Sequence, residues 1–91
     1  MSSSRIVVVG SCNMDLIWHG LRLPAAGETV TNGRFTQALG GKGANQASAA
    51  ALLGAEVAFV GCTGQDEYAD AIRADLRARG INIDHLHAVS E

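Results

Sequence analysis

Two short apolar runs, separated by an alanine-rich segment, constrain the fold of this chain more than any other feature. Residues 6–9 are an isoleucine followed by three valines, and residues 56–61 read Glu-Val-Ala-Phe-Val-Gly. Uninterrupted apolar runs of this length are typical of strands buried on both faces, as in parallel sheets. The segment between them predicts a helix over roughly 43–53, and Gly54 can adopt the left-handed conformation that ends it. The order strand, helix, strand therefore predicts an α/β chain with a parallel sheet and a right-handed crossover.

A second helix is predicted over about 66–79, followed by another strand. Apolar residues recur there at helical spacing, and acids early with arginines late complement the helix dipole. We expect Asp66 to cap this helix and Gly80 to end it. The alternation of residues 81–83 predicts the start of the next strand.

The composition limits the possible functions. With 91 residues, 47% hydrophobic and 18% charged, the chain is expected to be one globular domain with no second domain. Its net charge of −2 does not indicate a nucleic-acid or membrane partner. The sequence has neither a signal-peptide pattern nor a window of about 18 apolar residues, so we expect a cytoplasmic location. Cys12 and Cys62 are then expected to be reduced and buried.

The stretch from residue 11 to residue 41 is too long for a simple connection. Connections in α/β units usually take about 2 to 6 residues, so this insert needs structure or function of its own. Residues 16–18 and 34–36 resemble short strands, Asn32-Gly33 is a turn signal, and residues 23–27 are a breaker cluster. We predict a small β insert at the carboxyl end of a strand, where open α/β sheets bind ligands. An ordinary structured loop is the alternative.

The glycine-rich stretch GGKGANQAS, residues 40–48, does not match the common phosphate-binding motifs. A P-loop needs a serine or threonine directly after the lysine, but Gly43 follows Lys42. A dinucleotide fingerprint needs three spaced glycines directly after the first strand, which residues 10–15 do not provide. Both phosphate interpretations therefore fail on spacing.

Polar residues gather instead at two positions that the topology places at one end of the sheet. Asn13 and Asp15 follow the first strand, whereas Gly41, Lys42 and Asn45 precede and open the helix. Carboxylate, amide and ammonium groups together match the donors and acceptors of sugar hydroxyls, and glycines expose backbone N–H groups. These residues are therefore candidates for binding a polyol. The alternative is structural, with the first pair capping a turn and the asparagine capping the helix.

Four motifs carry a resemblance to a known family over nearly the whole chain. They are residues 10–15 (GSCNMD), 24–30 (PAAGETV), 40–47 (GGKGANQA), and the glycines and Asp66 within residues 54–66. Together they resemble the amino-terminal part of the phosphofructokinase-B family of sugar kinases. The N-x-D element combined with the glycine-lysine-asparagine element makes the match specific.

The resemblance implies a partial ribokinase-like α/β fold in which residues 11–41 are a β lid over the sugar and also a homodimer contact. It implies that the sugar-binding residues are Asn13, Asp15, Gly41, Lys42 and Asn45. The implied reaction transfers the γ-phosphate of ATP to a pentose, foremost O5 of D-ribose, with Mg²⁺ and K⁺. Alternatives are another sugar kinase of the family, such as one acting on fructose, or a stand-alone sugar-binding or dimerisation module.

The resemblance also implies that the catalytic aspartate and the ATP and metal sites belong to later segments of the family's sequence. We therefore assign no catalytic, cofactor-binding or metal-binding residue in residues 1–91, and expect the chain alone to be inactive. His85 and His87 are a weak metal-binding pair without further ligands. Trp18 could stack on a ligand or lie in a lid dimer interface, which we favour. Thr63 and Gly64 could support the site, but turn chemistry explains them adequately.

Overall fold

The computed structural model describes residues 4–90, which form five strands and two helices in the α/β order that the sequence predicts. The elements are β1 (Arg5–Val9), β2 (Asn13–His19), β3 (Arg34–Gly40), α1 (Lys42–Leu52), β4 (Glu56–Thr63), α2 (Glu67–Ala78) and β5 (Leu86–Ala88). Each helix boundary lies within one residue of the predicted one. Gly54 and Gly80 follow the helices with φ angles of 96° and 78°, as expected of glycines that end helices.

The main sheet has the order β1-β4-β5, and its strands are parallel. Strand β1 pairs with β4 so that Val8 lies opposite Phe59, and β5 pairs with β4 so that Leu86 lies opposite Gly61. Along the chain, β4 is added beside β1, and β5 is then added on the far side of β4. Both steps therefore run in the same direction across the sheet. Right-handed crossovers therefore place α1 and α2 on the same face of the sheet.

The hydrophobic core lies between this face and the two helices. Phe59 and Leu76 are its largest fully buried side chains, from β4 and α2. Helix α1 contributes the small residues Ala44 and Ala47, both without exposed surface, so it packs close to the strands. The remaining members of the core are Val8, Val57, Ile72, Ile81, Ile83 and Leu86.

The opposite face of the sheet is open in residues 4–90. Side chains alternate along a strand, so Val7 and Val9 point away from the helices and are 64% and 76% exposed. The predicted burial of both strand faces is therefore not met in this part of the chain, because both crossover helices cover the same face.

The third strand of the main sheet begins later than the sequence predicts. Residues 81–83 are not a strand, although Asn82 makes an isolated parallel bridge to Ala58. The chain then turns: the Asp84 N–H donates to Oδ1 of Asn82, and the Leu86 N–H donates to the Ile83 carbonyl. The alternation of residues 81–83 instead reflects the burial of Ile81 and Ile83 in the core. The prediction that a strand starts there is therefore wrong.

Residues 13–40 form an antiparallel hairpin separate from the main sheet. Strands β2 and β3 pair over seven positions, from Asn13 opposite Gly40 to His19 opposite Arg34. Residues 20–33 connect them, with a turn in which the Glu28 N–H donates to the Ala25 carbonyl. The insert is thus a β structure as predicted, and the structured-loop alternative is excluded.

The prediction of two buried cysteines is wrong for Cys62. Cys12 is half-buried, but Cys62 is exposed, because it alternates with the inward-facing Thr63 and points away from the helices. Both are free thiols, as expected. Neither helix in residues 4–90 is long and apolar enough to span a bilayer.

Candidate functional site

The candidate site lies at the carboxyl end of β1, where the hairpin begins and ends. Residues 10–12 lead from β1 into β2, and β3 runs through Gly41 directly into α1. Because Asn13 pairs with Gly40, the start of β2 and the start of α1 are brought together. Distant parts of the sequence therefore meet at this edge, as predicted.

Asn13 and Asp15 lie on the same face of β2 and contact each other. The Nδ2 group of Asn13 donates to Oδ1 of Asp15 over 2.7 Å. This hydrogen bond orients the carboxylate, and Oδ2 of Asp15 has no protein donor within residues 4–90. Both residues belong to a strand and not to a turn, so the turn-capping alternative is wrong for them.

The carboxylate of Asp15 lies over the backbone of Gly40. A Cβ atom at position 40 would lie 2.5 Å from Oδ2 and 2.6 Å from Oδ1 of Asp15. Only a residue without a side chain leaves this space to the carboxylate. In the sequence analysis Gly40 was only part of the glycine-rich stretch of residues 40–48 and was not assigned this role; its signal is the glycine pair before the helix.

Gly41 joins the hairpin to α1 in a conformation that favours glycine, with φ 101° and ψ 138°. A Cβ there would lie 2.7 Å from the Ser11 carbonyl oxygen and 2.8 Å from Cα of Cys12. Gly41 is thus pressed against the loop that carries Asn13, whose Oδ1 would lie 3.0 Å from the same Cβ.

Backbone contacts, without a side-chain cap, hold the start of α1. Gly41 is the N-cap residue and makes no side-chain hydrogen bond, while the Ala44 N–H donates to the Ser11 carbonyl over 3.1 Å. The helix-capping alternative for Asn45 is therefore wrong. Its N–H donates to the Gly41 carbonyl, and its side chain is exposed.

Two further glycines allow this close approach of α1 to β1. A Cβ at Gly43 would lie 3.0 Å from Cα of Gly10, and one at Gly10 would lie 3.1 Å from Cα of Gly43. The amino terminus of α1, with its partial positive charge, is therefore held against the end of β1. The sequence signal for this contact is a glycine on each of the two elements, and sequence reasoning did not use it.

Lys42 and Asn45 lie in the first turn of α1, three positions apart and on one face of the helix. Both are exposed, and neither side chain makes a hydrogen bond or ion pair within residues 4–90. Their donor groups are free to bind a ligand at the helix start. The five predicted residues thus lie where β2 meets the start of α1. Two of them are in β2, one is the N-cap residue of α1, and two are in its first turn.

The other candidate residues are not brought to this site. Trp18 alternates with Asp15 along β2 and lies on the opposite face of the hairpin, so the structure does not support stacking on a ligand there. The rings of His85 and His87 are 6.4 Å apart, and no cluster of three metal-ligating side chains occurs in residues 4–90. Asp66 caps α2 as predicted, by accepting from the Ala69 N–H over 2.9 Å.

Thr63, the last residue of β4, is occupied with protein partners. Its hydroxyl donates to the Gly64 carbonyl over 3.0 Å and accepts from Nη2 of Arg73 over 3.3 Å. The turn-chemistry interpretation therefore accounts for it.

A model of the pfkB family of carbohydrate kinases matches residues 3–91. A ribokinase from Bacillus subtilis is 49% identical over 85 residues, which is 93% of this chain and 29% of the relative. Arabidopsis thaliana ribokinase, solved as a complex with ribose and ATP, superposes with a TM-score of 0.85 at 36% identity. That match covers 100% of this chain and 30% of the plant protein.

A Cryptococcus neoformans ribokinase, solved with ADP, gives a TM-score of 0.79 at 36% identity, over 98% of this chain and 28% of that protein. The chain therefore spans less than a third of the length of each of these relatives. The structural matches confirm the predicted α/β fold class.

Proposed function

Because this chain belongs to the pfkB family of carbohydrate kinases, we propose that it is the sugar-binding amino-terminal part of a cytoplasmic, ATP-dependent kinase that phosphorylates D-ribose at O5. The family resemblance drawn from the sequence is thereby confirmed. The 49% identity to a ribokinase supports ribose as the sugar in preference to fructose. Since the chain spans 29% of that relative, the activity of a whole kinase is inferred and not observed.

The contact of Asp15 with Asn13 over Gly40 is the observation that carries this proposal. Its 2.7 Å hydrogen bond leaves Oδ2 of the carboxylate to accept from a sugar hydroxyl. A carboxylate with two acceptor oxygens suits a vicinal diol, in which each hydroxyl can donate. The glycine beneath it keeps this surface free of side chains.

The start of α1 supplies the complementary donors. Lys42 and Asn45 have no protein partners within residues 4–90, so an ammonium and an amide can donate to ribose hydroxyl oxygens. The backbone at Gly41 has no side chain that would keep a ligand away. In this proposal Asn13, Asp15, Gly41, Lys42 and Asn45 bind the sugar, and none of them performs the chemistry.

The phosphoryl donor is proposed to be ATP, which the solved Arabidopsis relative contains together with ribose. Mg²⁺ and K⁺ are proposed with it, to neutralise phosphate charge and support transfer. Residues 4–90 contain no cluster of three His, Cys, Asp or Glu side chains, and we assign no metal ligand to them. We therefore assign no step of phosphoryl transfer to residues of this chain, and expect no ribose-dependent ADP formation from it alone.

The hairpin is proposed to be a lid that excludes water from the sugar, and to pair two copies of the protein. The face opposite Asp15 supports the pairing, because Leu16, Trp18 and Phe35 are 54%, 40% and 56% exposed there. Apolar surface of this kind is typical of interfaces. Sedimentation of the chain should show a concentration-dependent dimer that Phe35→Glu abolishes; a monomer at all concentrations would refute the pairing.

Ribose binding can be tested directly by titrating the labelled chain with D-ribose and following its amide NMR signals. We expect saturable shifts at residues 13–15 and 41–45, with smaller effects from D-fructose. Asp15→Ala should weaken binding by roughly tenfold or more, because a bound sugar hydroxyl left without its acceptor costs about 1–3 kcal/mol. The matched control is Asp84→Ala, an exposed aspartate outside the helices and strands, which should bind normally.

Three outcomes would contradict the proposal. One is an absence of shifts with ribose, and another is shifts that the Asp15 and Asp84 substitutions alter equally. The third is a stronger response to fructose, which would transfer the proposal to the fructokinase alternative. Robust ADP formation by the chain alone would contradict the expectation that catalysis needs further segments.

A further inference from the structure

Side chains on one face of the hairpin become larger with distance from α1. This face, the Asp15 face, is formed by the cross-strand pairs whose side chains lie on the same side as Asp15. From α1 outward the pairs are Asn13 with Gly40, Asp15 with Ala38, Ile17 with Thr36, and His19 with Arg34. Strand β3 thus presents no side chain, then a methyl group, then two larger side chains. The most open part of the face therefore lies beside the Asp15 carboxylate.

Ala38 lies directly opposite Asp15 and is exposed. Because Cβ atoms of directly opposite residues are about 4.5–5.5 Å apart, a larger side chain at position 38 would extend into the space beside the carboxylate. Strand propensity does not explain an alanine here, since strand positions favour β-branched and aromatic residues. Packing does not explain it either, because Ala38 is not part of the hydrophobic core. A requirement for open space beside Asp15 explains it.

The next cross-strand pair, Ile17 with Thr36, ends this open surface. Successive pairs on one face are two residues apart, which is about 7 Å along a strand. Both side chains are β-branched and therefore stiff at χ1. Thr36 is half-buried, and Ile17 is 36% exposed. The two side chains form a ridge across the hairpin between Asp15 and the connection of residues 20–33.

The carboxylate of Asp15 is directed away from this ridge. Its Oδ1 accepts from Nδ2 of Asn13, and both of its oxygens lie over Gly40, on the side of α1. A sugar that donates to Oδ2 therefore lies between the ridge and the exposed side chains of Lys42 and Asn45. The ridge limits how far such a sugar can extend along the hairpin.

We infer that Ala38 and the ridge of Ile17 and Thr36 determine which sugars bind beside Asp15. Ala38 leaves the space that the sugar ring needs next to the carboxylate. The ridge favours five-carbon sugars, because a sixth carbon directed along the hairpin meets two stiff, branched side chains. This inference rests on the proposed function, in which Asp15 binds the sugar, and it names the residues that select the substrate.

Substitution of Ala38 tests the requirement for space. Ala38→Val should weaken D-ribose binding by roughly tenfold or more, because overpacking displaces the sugar or the carboxylate. Ala38→Gly should keep the parent affinity, since it only adds space. The matched control is Gln37→Val, which places the same side chain on the opposite face of the same strand. Valine favours strands, so both valine variants are expected to fold. Calorimetric titration measures the affinities, and amide NMR spectra verify the fold.

Substitution of Ile17 tests the ridge. D-Allose keeps the ribose configuration at C2 to C4 and is one carbon longer, so the parent chain should bind it about tenfold or more weakly than ribose. Ile17→Ala shortens the ridge and should reduce this preference to a few-fold. Ile17→Val keeps the branched side chain and should retain most of the preference.

The outcomes separate this inference from the proposed function. If the parent chain binds ribose and Ala38→Val binds it equally well, Ala38 does not provide the space for the sugar. An equal loss of affinity in Ala38→Gly would mean that the methyl group is a contact, which also overturns this role. An unchanged preference for ribose over allose in Ile17→Ala would overturn the ridge. If the parent chain binds no ribose, the proposed function itself fails, and the inference fails with it.

Discussion

The carboxylate of Asp15 occupies the space that a side chain at position 40 would need. A Cβ atom on Gly40 would lie 2.5 Å from Oδ2 of Asp15, well inside van der Waals contact. Gly40→Ala should therefore displace the carboxylate, break its 2.7 Å hydrogen bond with Asn13 and lower ribose affinity by roughly tenfold, for about 1–3 kcal/mol of lost interaction. Calorimetric titration with ribose measures this change.

The matched control is Gly64→Ala, since a Cβ at Gly64 would find its nearest neighbour at 3.7 Å, an ordinary contact. This variant should bind ribose like the parent chain. If Gly40→Ala retains full affinity while remaining folded, Asp15 does not hold the sugar from the position that the structure gives it.

Gly41 and Gly54 have similar φ angles but very different surroundings. Their φ angles are 101° and 96°, but a Cβ at Gly54 meets no atom within 4 Å. Gly54→Ala should cost only the strain of the left-handed region, about 1–2 kcal/mol of unfolding free energy. Gly41→Ala adds a clash with the Ser11 carbonyl, and its ψ angle of 138° lies outside the left-handed region, so it should cost about 1–3 kcal/mol more. Urea unfolding of both variants compares these costs. Equal losses would mean that the loop of residues 10–12 moves aside without a measurable cost in stability.

The sequence predicts the helices and the first strands well because their signals are local. The valine run of residues 6–9, the glycine at position 54 and the aspartate at position 66 each act within a few residues of themselves. By contrast, the strand at residues 86–88 depends on pairing with β4, which no local pattern announces. The alternation of residues 81–83 reflects burial in the core and not a strand, since a bend at residue 84 redirects the chain.

The proximity of the candidate site residues was predictable from the sequence, but their geometry was not. Residues 13–15 follow the first strand and residues 41–45 open the following helix. In a strand-helix-strand unit both positions lie at the same end of the sheet, so their proximity could be inferred from the order of the elements. The position of Asp15 over Gly40 depends on the register of the hairpin, which a one-residue slip would destroy.

The connection between β2 and β3 should respond to acid through Glu28. Arg22 donates to both of its carboxylate oxygens, over 2.7 and 2.6 Å, and the Ala25 N–H donates to one of them. The Arg22 hydrogen bonds, with a smaller contribution from Ala25, lower the pKa of Glu28 from 4.5 to about 2. A carboxyl with a lowered folded-state pKa stabilises the structure above its unfolded pKa. This contribution should therefore decline as the pH falls from about 4.5 to about 2.

Carbon NMR of the Glu28 carboxyl should give a titration midpoint near 2, and protection of the Ala25 amide should decline over the same range. Glu28→Gln keeps the shape but cannot titrate, so its Ala25 amide should show no such dependence. A midpoint close to 4.5 would mean that the pair with Arg22 does not persist in solution.

The last prediction concerns the cap of α2. Oδ1 of Asp66 accepts from the Ala69 N–H over 2.9 Å and satisfies one of the free donors of the first turn. Asp66→Ala should lower the free energy of unfolding by about 1 kcal/mol, whereas Asp66→Asn should lower it much less, because asparagine caps nearly as well. Asp70→Ala removes a first-turn charge without touching a cap and should cost only about 0.3–1 kcal/mol at low salt. Urea unfolding at low and high salt separates the two effects: the loss at position 70 should shrink as salt is added, whereas most of the loss for Asp66→Ala should remain. Equal losses for Asp66→Ala and Asp66→Asn would mean that charge, and not the hydrogen bond, stabilises the helix start.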